Sequence, residues 1–204
     1  EADGLLYLKS GSKEQNILAK QGDDLRIDWG YFYMVAGKEN TAYSVGNSTE
    51  LRKNFVNGTL NSASLEGEDS NGNMALVRSH GKVKNVTDKI MLGYDDIYSI
   101  QYFGTNLRPY WNSKGDRTIE AEMLAAYNEY DKLLARCYAF DKKLMEDASA
   151  AGGKEYAELC ALAYRQSIAA HKLVEAPNGD LLWLSKENNS NGCINTVDLT
   201  YPSA

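Results

Sequence analysis

From Thr118 onward, apolar residues recur at Ile119, Met123, Tyr127, Tyr130, Leu134, Cys137, Phe140 and Leu144. This three-or-four spacing predicts one continuous helical face. Thr118 suits the N-cap, where its hydroxyl can accept an orphan backbone N–H, and Glu120 and Glu122 fall at the positive end of the helix dipole. The pattern stops at Gly152-Gly153, because glycine reaches positive φ without a Cβ penalty. It resumes from about Lys154 to Leu173, with Tyr156, Leu159, Cys160, Ala163 and Ile168 assigned to the inner side. Two such helices joined at a glycine pair are expected to fold back as an antiparallel αα-hairpin. A large apolar patch on the exposed side of that hairpin would point to a missing partner segment.

The first hundred or so residues read differently. Runs such as Leu5-Leu6-Tyr7-Leu8 and Leu25 to Ala36 are apolar, aromatic or β-branched and are broken by turn residues, which predicts strands. Gly11, Gly22-Asp23-Asp24, Gly37, Asn57-Gly58 and Asn71-Gly72 punctuate them, and the Asn-Gly pairs are candidate tight hairpins because both residues tolerate positive φ. An antiparallel sheet or sandwich follows. Asn61 to Asn73 is polar and reads as an exposed loop or edge. Beyond the hairpin, Pro177-Asn178-Gly179-Asp180 predicts a turn and Leu181-Leu182-Trp183-Leu184 a short strand, leading into the polar stretch Ser185 to Asn195. The fold class is therefore α+β, with a β-rich portion over residues 1–112 and a helical portion with a short β-hairpin and polar loop over 113–204.

Charge narrows the partners. With 22 basic and 28 acidic residues, a formal net charge of -6 and a pI near 5.0, the chain disfavours phosphate backbones and anionic membrane surfaces. No apolar run approaches the roughly 18 residues of a membrane-spanning helix, and no basic-then-apolar export signal opens the chain. The chain begins without methionine and ends just after the strand-like run Thr196 to Tyr201, which reads as a cut end. Cys137, Cys160 and Cys193 form neither a disulfide framework nor a metal pattern. Counting from the glycine turn at 1.5 Å per residue, Cys137 and Cys160 differ by roughly 12 Å in height, too far for a disulfide. Free, largely buried thiols are expected.

The stretch Leu107-Arg108-Pro109-Tyr110-Trp111-Asn112, the hairpin, and the run from Trp183 through Lys186-Glu187-Asn188-Asn189-Ser190-Asn191-Gly192 to Ser203 together resemble the central domain of the glutaminase A family. Upstream, Gln15-Asn16-Ile17-Leu18, Gly22 to Gly30 and Gly93-Tyr94-Asp95-Asp96-Ile97-Tyr98 extend the resemblance over nearly the whole chain. It implies a multi-domain, secreted or periplasmic hydrolase in which an N-terminal antiparallel β-sandwich precedes an (α/α)6 toroid of six helical hairpins, an architecture shared with several glycosidase families. The hairpin here would belong to an incomplete toroid, so the isolated chain is expected to be inactive. Its partners would be the remaining domains of the parent chain and a small polar molecule or carbohydrate. The activity implied is glutamine to glutamate and ammonia; the alternatives are a glycoside hydrolase and a non-catalytic scaffold or carbohydrate-binding portion.

Lys186-Glu187-Asn188-Asn189-Ser190-Asn191-Gly192 offers a cation, a carboxylate and several amides on one loop, enough to hold a polar substrate; it equally reads as a hydrated connector. Lys186, Asn188 and Asn191 are the binding candidates there. Asp95, Asp96, Glu187 and Asp198 are the carboxylates for acid, base or water-activating roles. Asp198, in an apolar run, would need a partner or a shifted pKa. Asp95-Asp96 equally suits a capped turn or a calcium ion; otherwise no cofactor is expected. Trp29, Tyr94 and Trp111, with Tyr110 and Trp183, could wall a sugar or small ligand, though such aromatics are more often core. His80 and His171 carry no zinc pattern. Ser10-Gly11-Ser12-Lys13 matches S-x-x-K, but a glycine turn cannot place that lysine one helical turn from the serine. Four N-x-S/T sequons, at Asn47, Asn57, Asn85 and Asn188, matter only in a glycosylating host.

Overall fold

The computed structural model describes residues 3–20, 28–60, 72–186 and 193–196. The chain divides into two compact units. One comprises Glu1–Gly11 and Tyr31–Asp95, the other Ser12–Gly30 and Asp96–Ala204. Helices and antiparallel strands are both present, an α+β fold.

In the first unit β1 (Leu5–Gly11), β2 (Tyr31–Gly37) and β5 (Met91–Asp95) form an antiparallel sheet with β2 central. The pairing runs Leu5↔Gly37 to Gly11↔Tyr31 and Tyr31↔Asp95 to Val35↔Met91. Central placement buries Tyr33, Val35 and Ala36, with Leu5, Leu6 and Leu8 from the neighbouring strand. A second antiparallel pair, β3 (Thr41–Asn47) with β4 (Gly72–Arg78), carries the helix α1 (Ser48–Val56).

Helix α1 was not expected in this strand-rich portion. Asn47 caps it, its Oδ1 accepting the Thr49 N–H at 2.9 Å, and Leu51 is the side chain it buries. Asn57-Gly58, expected as a hairpin, instead ends this helix. Gly58 N–H bonds to the Phe55 carbonyl at 3.1 Å and Thr59 N–H to the Asn54 carbonyl at 2.8 Å, a Schellman closure with Gly58 at φ 66°. The glycine supplies the same backbone freedom in either context. Gly22-Asp23-Asp24 and Asn71 lie outside the described residues.

The second unit is built on two small hairpins. β6 (Ile100–Tyr102) and β7 (Thr105–Leu107) turn through Phe103-Gly104, both at positive φ. β8 (His171–Glu175) and β9 (Leu181–Ser185) turn through Pro177-Asn178-Gly179-Asp180, where the Asp180 carbonyl accepts the Ala176 N–H at 2.9 Å. Ile100, Leu107 and Val174 are buried where the hairpins meet, with Tyr102, Leu182, Leu184 and Ile194 packed around them.

The helices follow a 3-10 turn, Tyr110–Asn112. α2 (Ile119–Asn128) starts as expected, with Thr118 Oγ1 accepting the Ala121 N–H at 3.3 Å. The single expected helix then bends at Glu129 (φ -93°, ψ 5°), after Asn128, a residue that favours turn geometry. α3 (Tyr130–Ala169) reverses at Gly153 (φ 86°, ψ -179°), a conformation open essentially to glycine alone. Thirteen residues before it and eleven after, Phe140 and Tyr164 meet at 5.1 Å between ring centroids, so the αα-hairpin forms.

Three expectations fail in detail. The hairpin ends at Ala169, and His171 to Leu173 leave the helix because they pair with β9. The residues of α3 that are buried are the small Ala148 and Ala157, next to the turn, while Tyr156, Leu159, Ala163 and Ile168 are exposed. No disulfide joins Cys137, Cys160 or Cys193, and contrary to the expected burial Cys137 and Cys193 are exposed and Cys160 half-buried. Among the described residues no helix is long and apolar enough to cross a membrane.

Candidate functional site

The turn after β5 enters the second unit as Asp96-Ile97-Tyr98-Ser99. Ile97 sits at φ 57° and the Tyr98 N–H reaches back to the Asp96 carbonyl at 2.5 Å. This tight geometry turns the Asp96 and Tyr98 carbonyls toward one donor, the Trp29 indole N–H, at 2.8 and 3.2 Å. Gly30, the next residue after Trp29, is held by Gln15, whose side-chain oxygen accepts from the Gly30 N–H at 2.5 Å and whose amide nitrogen donates to the Ser12 carbonyl at 2.7 Å.

Asp96 is only 4% exposed. A buried carboxylate must be satisfied, and its Oδ2 accepts from Ser99 Oγ at 2.8 Å and from Lys172 Nζ at 3.1 Å. Lys186, 7% exposed, follows the last residue of β9. Its Nζ donates to the Ser99 carbonyl at 2.6 Å and lies 5.4 Å from the Trp29 ring centroid. Its backbone is equally fixed, by an N–H to the Ala170 carbonyl at 2.9 Å and a bridge to Ile194.

Lys172 thus pairs with the Asp96 carboxylate, and the buried Lys186 ammonium lies close enough to feel both charges. Burial pushes the Lys186 ammonium down to about 8, the charge of Lys172 adding to the effect and Asp96 opposing it. A lysine so placed releases its proton closer to neutrality than an ordinary lysine does. It also anchors the root of the Lys186-to-Asn191 segment.

Of the residues singled out in the sequence, Trp29, Asp96 and Lys186 come together here. Tyr94 and Asp95 end β5, in the other unit; Tyr94 is exposed and Asp95 half-buried. Trp111 is half-buried in the 3-10 turn, where its neighbour Asn112 accepts the Arg117 N–H at 3.0 Å. Glu187, Asn188, Asn191 and Asp198 lie outside the described residues. Ser99 and Lys172 are not singled out by the sequence, a serine before an isoleucine and a lysine in a short strand giving no local signal. Among the described residues no cluster of three or more His, Cys, Asp or Glu side chains could hold a metal ion.

Residues 1–147 match the family described as "Domain of unknown function (DUF5127)", and residues 153–204 match the "Glutaminase A six helical-hairpin domain". The chain is 27% identical over 217 residues to "Glutaminase A" of Aspergillus oryzae, covering 98% of this chain and 30% of that protein. It is 25% identical over 224 residues to a "Probable glutaminase" of Arthroderma benhamiae, covering 97% of this chain and 25% of that protein. The chain thus spans less than a third of the length of these curated relatives. No solved structure matches it.

Proposed function

The chain belongs to the glutaminase A family, its first 147 residues a DUF5127 domain and residues 153–204 part of the six helical-hairpin domain, and on that premise we propose a glutaminase-like amidohydrolase releasing ammonia from glutamine or a related amide. The observation that carries this reading is the cluster of buried Asp96 and Lys186 with the partly exposed Lys172, Lys186 bonded to the Ser99 carbonyl at the root of the segment that offers Glu187, Asn188 and Asn191. In this reading the cluster fixes where the segment begins and its polar groups bind the amide. Either Glu187 or Asp198 activates water, with Lys186 near enough to neutrality to move a proton.

The rest of the assembly follows the same proposal. The strands of the first unit contribute to a β-sandwich, and the protein works outside the cytoplasm. The exposed aromatic side of the αα-hairpin packs against further hairpins of the toroid. That side surrounds a groove of about 1010 Å³ lined by Leu133, Phe140, Leu144, Tyr164 and Ile168.

The test is ammonia release from glutamine by the full-length protein and its Lys186→Met, Glu187→Gln and Asp198→Asn variants, beside a panel of aryl glycosides. Glutamine turnover that falls at least a hundredfold in the Glu187 or Asp198 variant supports the proposal. Glycoside cleavage without ammonia sinks it.

A further inference from the structure

We propose that Asn57 and Asn85 carry N-linked oligosaccharides that cover exposed apolar surface on the first unit. The inference is independent of the catalytic reading and requires only passage through a glycosylating secretory compartment.

Three of the four sequons lie among the described residues, and their surroundings differ. Asn57-Gly58-Thr59 follows the end of α1. Asn57 and Thr59 are both exposed, and the two residues just before them, Phe55 and Val56, are 60% and 81% exposed. These side chains border a cleft of about 560 Å³ that Met34, Leu51 and Leu60 also line. Large apolar groups this open are unfavourable in water, and no described side chain closes over them.

Asn85-Val86-Thr87 lies on the arch between β4 and β5. The neck of the arch is closed at Asp88, which accepts from Arg78 Nε at 2.7 Å and pairs with His80 Nε2 at 2.9 Å. The Arg78 bond, helped by the Lys89 N–H and opposed by burial, holds the Asp88 carboxyl below its usual range, so the carboxylate at the neck stays charged. Residues 81–87 are all exposed, with Val83 and Val86 on either side of Asn85 at 56% and 55%. A hydrated oligosaccharide on Asn85 would lie over both valines, and one on Asn57 over Phe55 and Val56.

Asn47-Ser48-Thr49 is likewise exposed at Asn47 and Thr49, but no exposed apolar side chain adjoins it. The Asn47 carboxamide is engaged as the helix cap, Thr49 lies inside the first turn of α1, and the adjoining Gly46 and Ser48 expose nothing apolar. It serves as the internal control.

In the transfer step, the asparagine Nδ2 forms a bond to the anomeric carbon of an isoprenoid-diphosphate-linked oligosaccharide. The bond from that carbon to the phosphate oxygen breaks, the lipid diphosphate leaves, and the amide loses one proton. The donor and its transferase come from the host.

The experiment is expression of the full-length protein with an export signal in a eukaryotic secretory host, followed by glycopeptide mass spectrometry. Glycans are expected on Asn57 and Asn85, each lost in the matching Thr59→Ala or Thr87→Ala variant, which leaves the asparagine in place. Unmodified peptides at both positions overturn the proposal, and so does occupancy of Asn47 equal to theirs. Enzymatic trimming of the folded glycoprotein should raise binding of an apolar-surface dye at unchanged circular dichroism; unchanged dye binding overturns the covering role.

Discussion

The αα-hairpin and the paired β-hairpins of the same unit use apolar residues in opposite ways. The helices carry the longest apolar repeat read in the sequence, yet Tyr138, Phe140, Tyr156, Leu159, Leu162 and Tyr164 are exposed and the buried residues of α3 are two alanines. The β-hairpins are short and weakly signalled, yet Ile100 and Val174 are completely buried. A hydrophobic period marks the side of an element meant to be covered. It does not say that the covering comes from the same stretch of chain.

The largest expected effect comes from the small core. Ile100→Ala should lower the unfolding free energy by about 2–5 kcal/mol, because a cavity opens where neighbouring strands cannot collapse. Leu162→Ala, on the exposed side of α3, should change it by less than about 0.5 kcal/mol. Urea unfolding of both variants checks the contrast, and equal losses would break it.

Asp96→Asn comes next. It leaves Lys172 and Lys186 facing each other without a carboxylate, and removing one partner of a buried pair typically costs about 3–5 kcal/mol. Lys172 is about one-third exposed, and its access to water reduces the expected loss to roughly 2 kcal/mol. A loss near zero in thermal or urea unfolding would show that the cluster contributes nothing to holding the β-hairpins.

Gly153→Ala tests the turn of the long hairpin. A side chain at φ 86° should cost about 1–2 kcal/mol. Gly152→Ala should also weaken the hairpin, because its Cβ would lie 2.6 Å from the Tyr156 ring. Both should reduce helical circular dichroism before the β-core melts. A single shared transition would join the two regions into one cooperative body.

The smallest effect is a dependence on pH. Lys186 has its folded-state pKa depressed to about 8 from 10.5, so between those values the unfolded chain holds a proton that the folded chain has released. Its contribution therefore makes stability rise with pH through that window. Lys186→Met should flatten that rise in unfolding midpoints measured at several pH values; an unchanged slope would remove Lys186 as its source.

Much of this architecture was legible because it rests on local chemistry. Thr118 announced the start of α2, Gly152-Gly153 the reversal, and Asn178-Gly179 the turn before β9. Helix α1 was legible too and was passed over: Asn47 with Glu50 three residues on is a capping pattern, hidden by the strand-like residues before it. His171 to Leu173 were read as helix because nothing local marks where cross-strand pairing overrides helical continuation. The candidate site was half legible. Trp29, Asp96 and Lys186 each stood out on chemistry, but their meeting depends on contacts across 67 and 87 residues, which no window of sequence contains. Ser99 and Lys172 became visible only through those contacts.

The Ser99 carbonyl that receives Lys186 belongs to the main chain. No exchange of side chain at position 99 can delete it, so replacing Ser99 by alanine would report on the hydroxyl bonded to Asp96 and leave the lysine's acceptor intact. The junction is tolerant of drift on one side and exposed to it on the other. A residue-by-residue survey would find the lysine and pass over the atom it depends on.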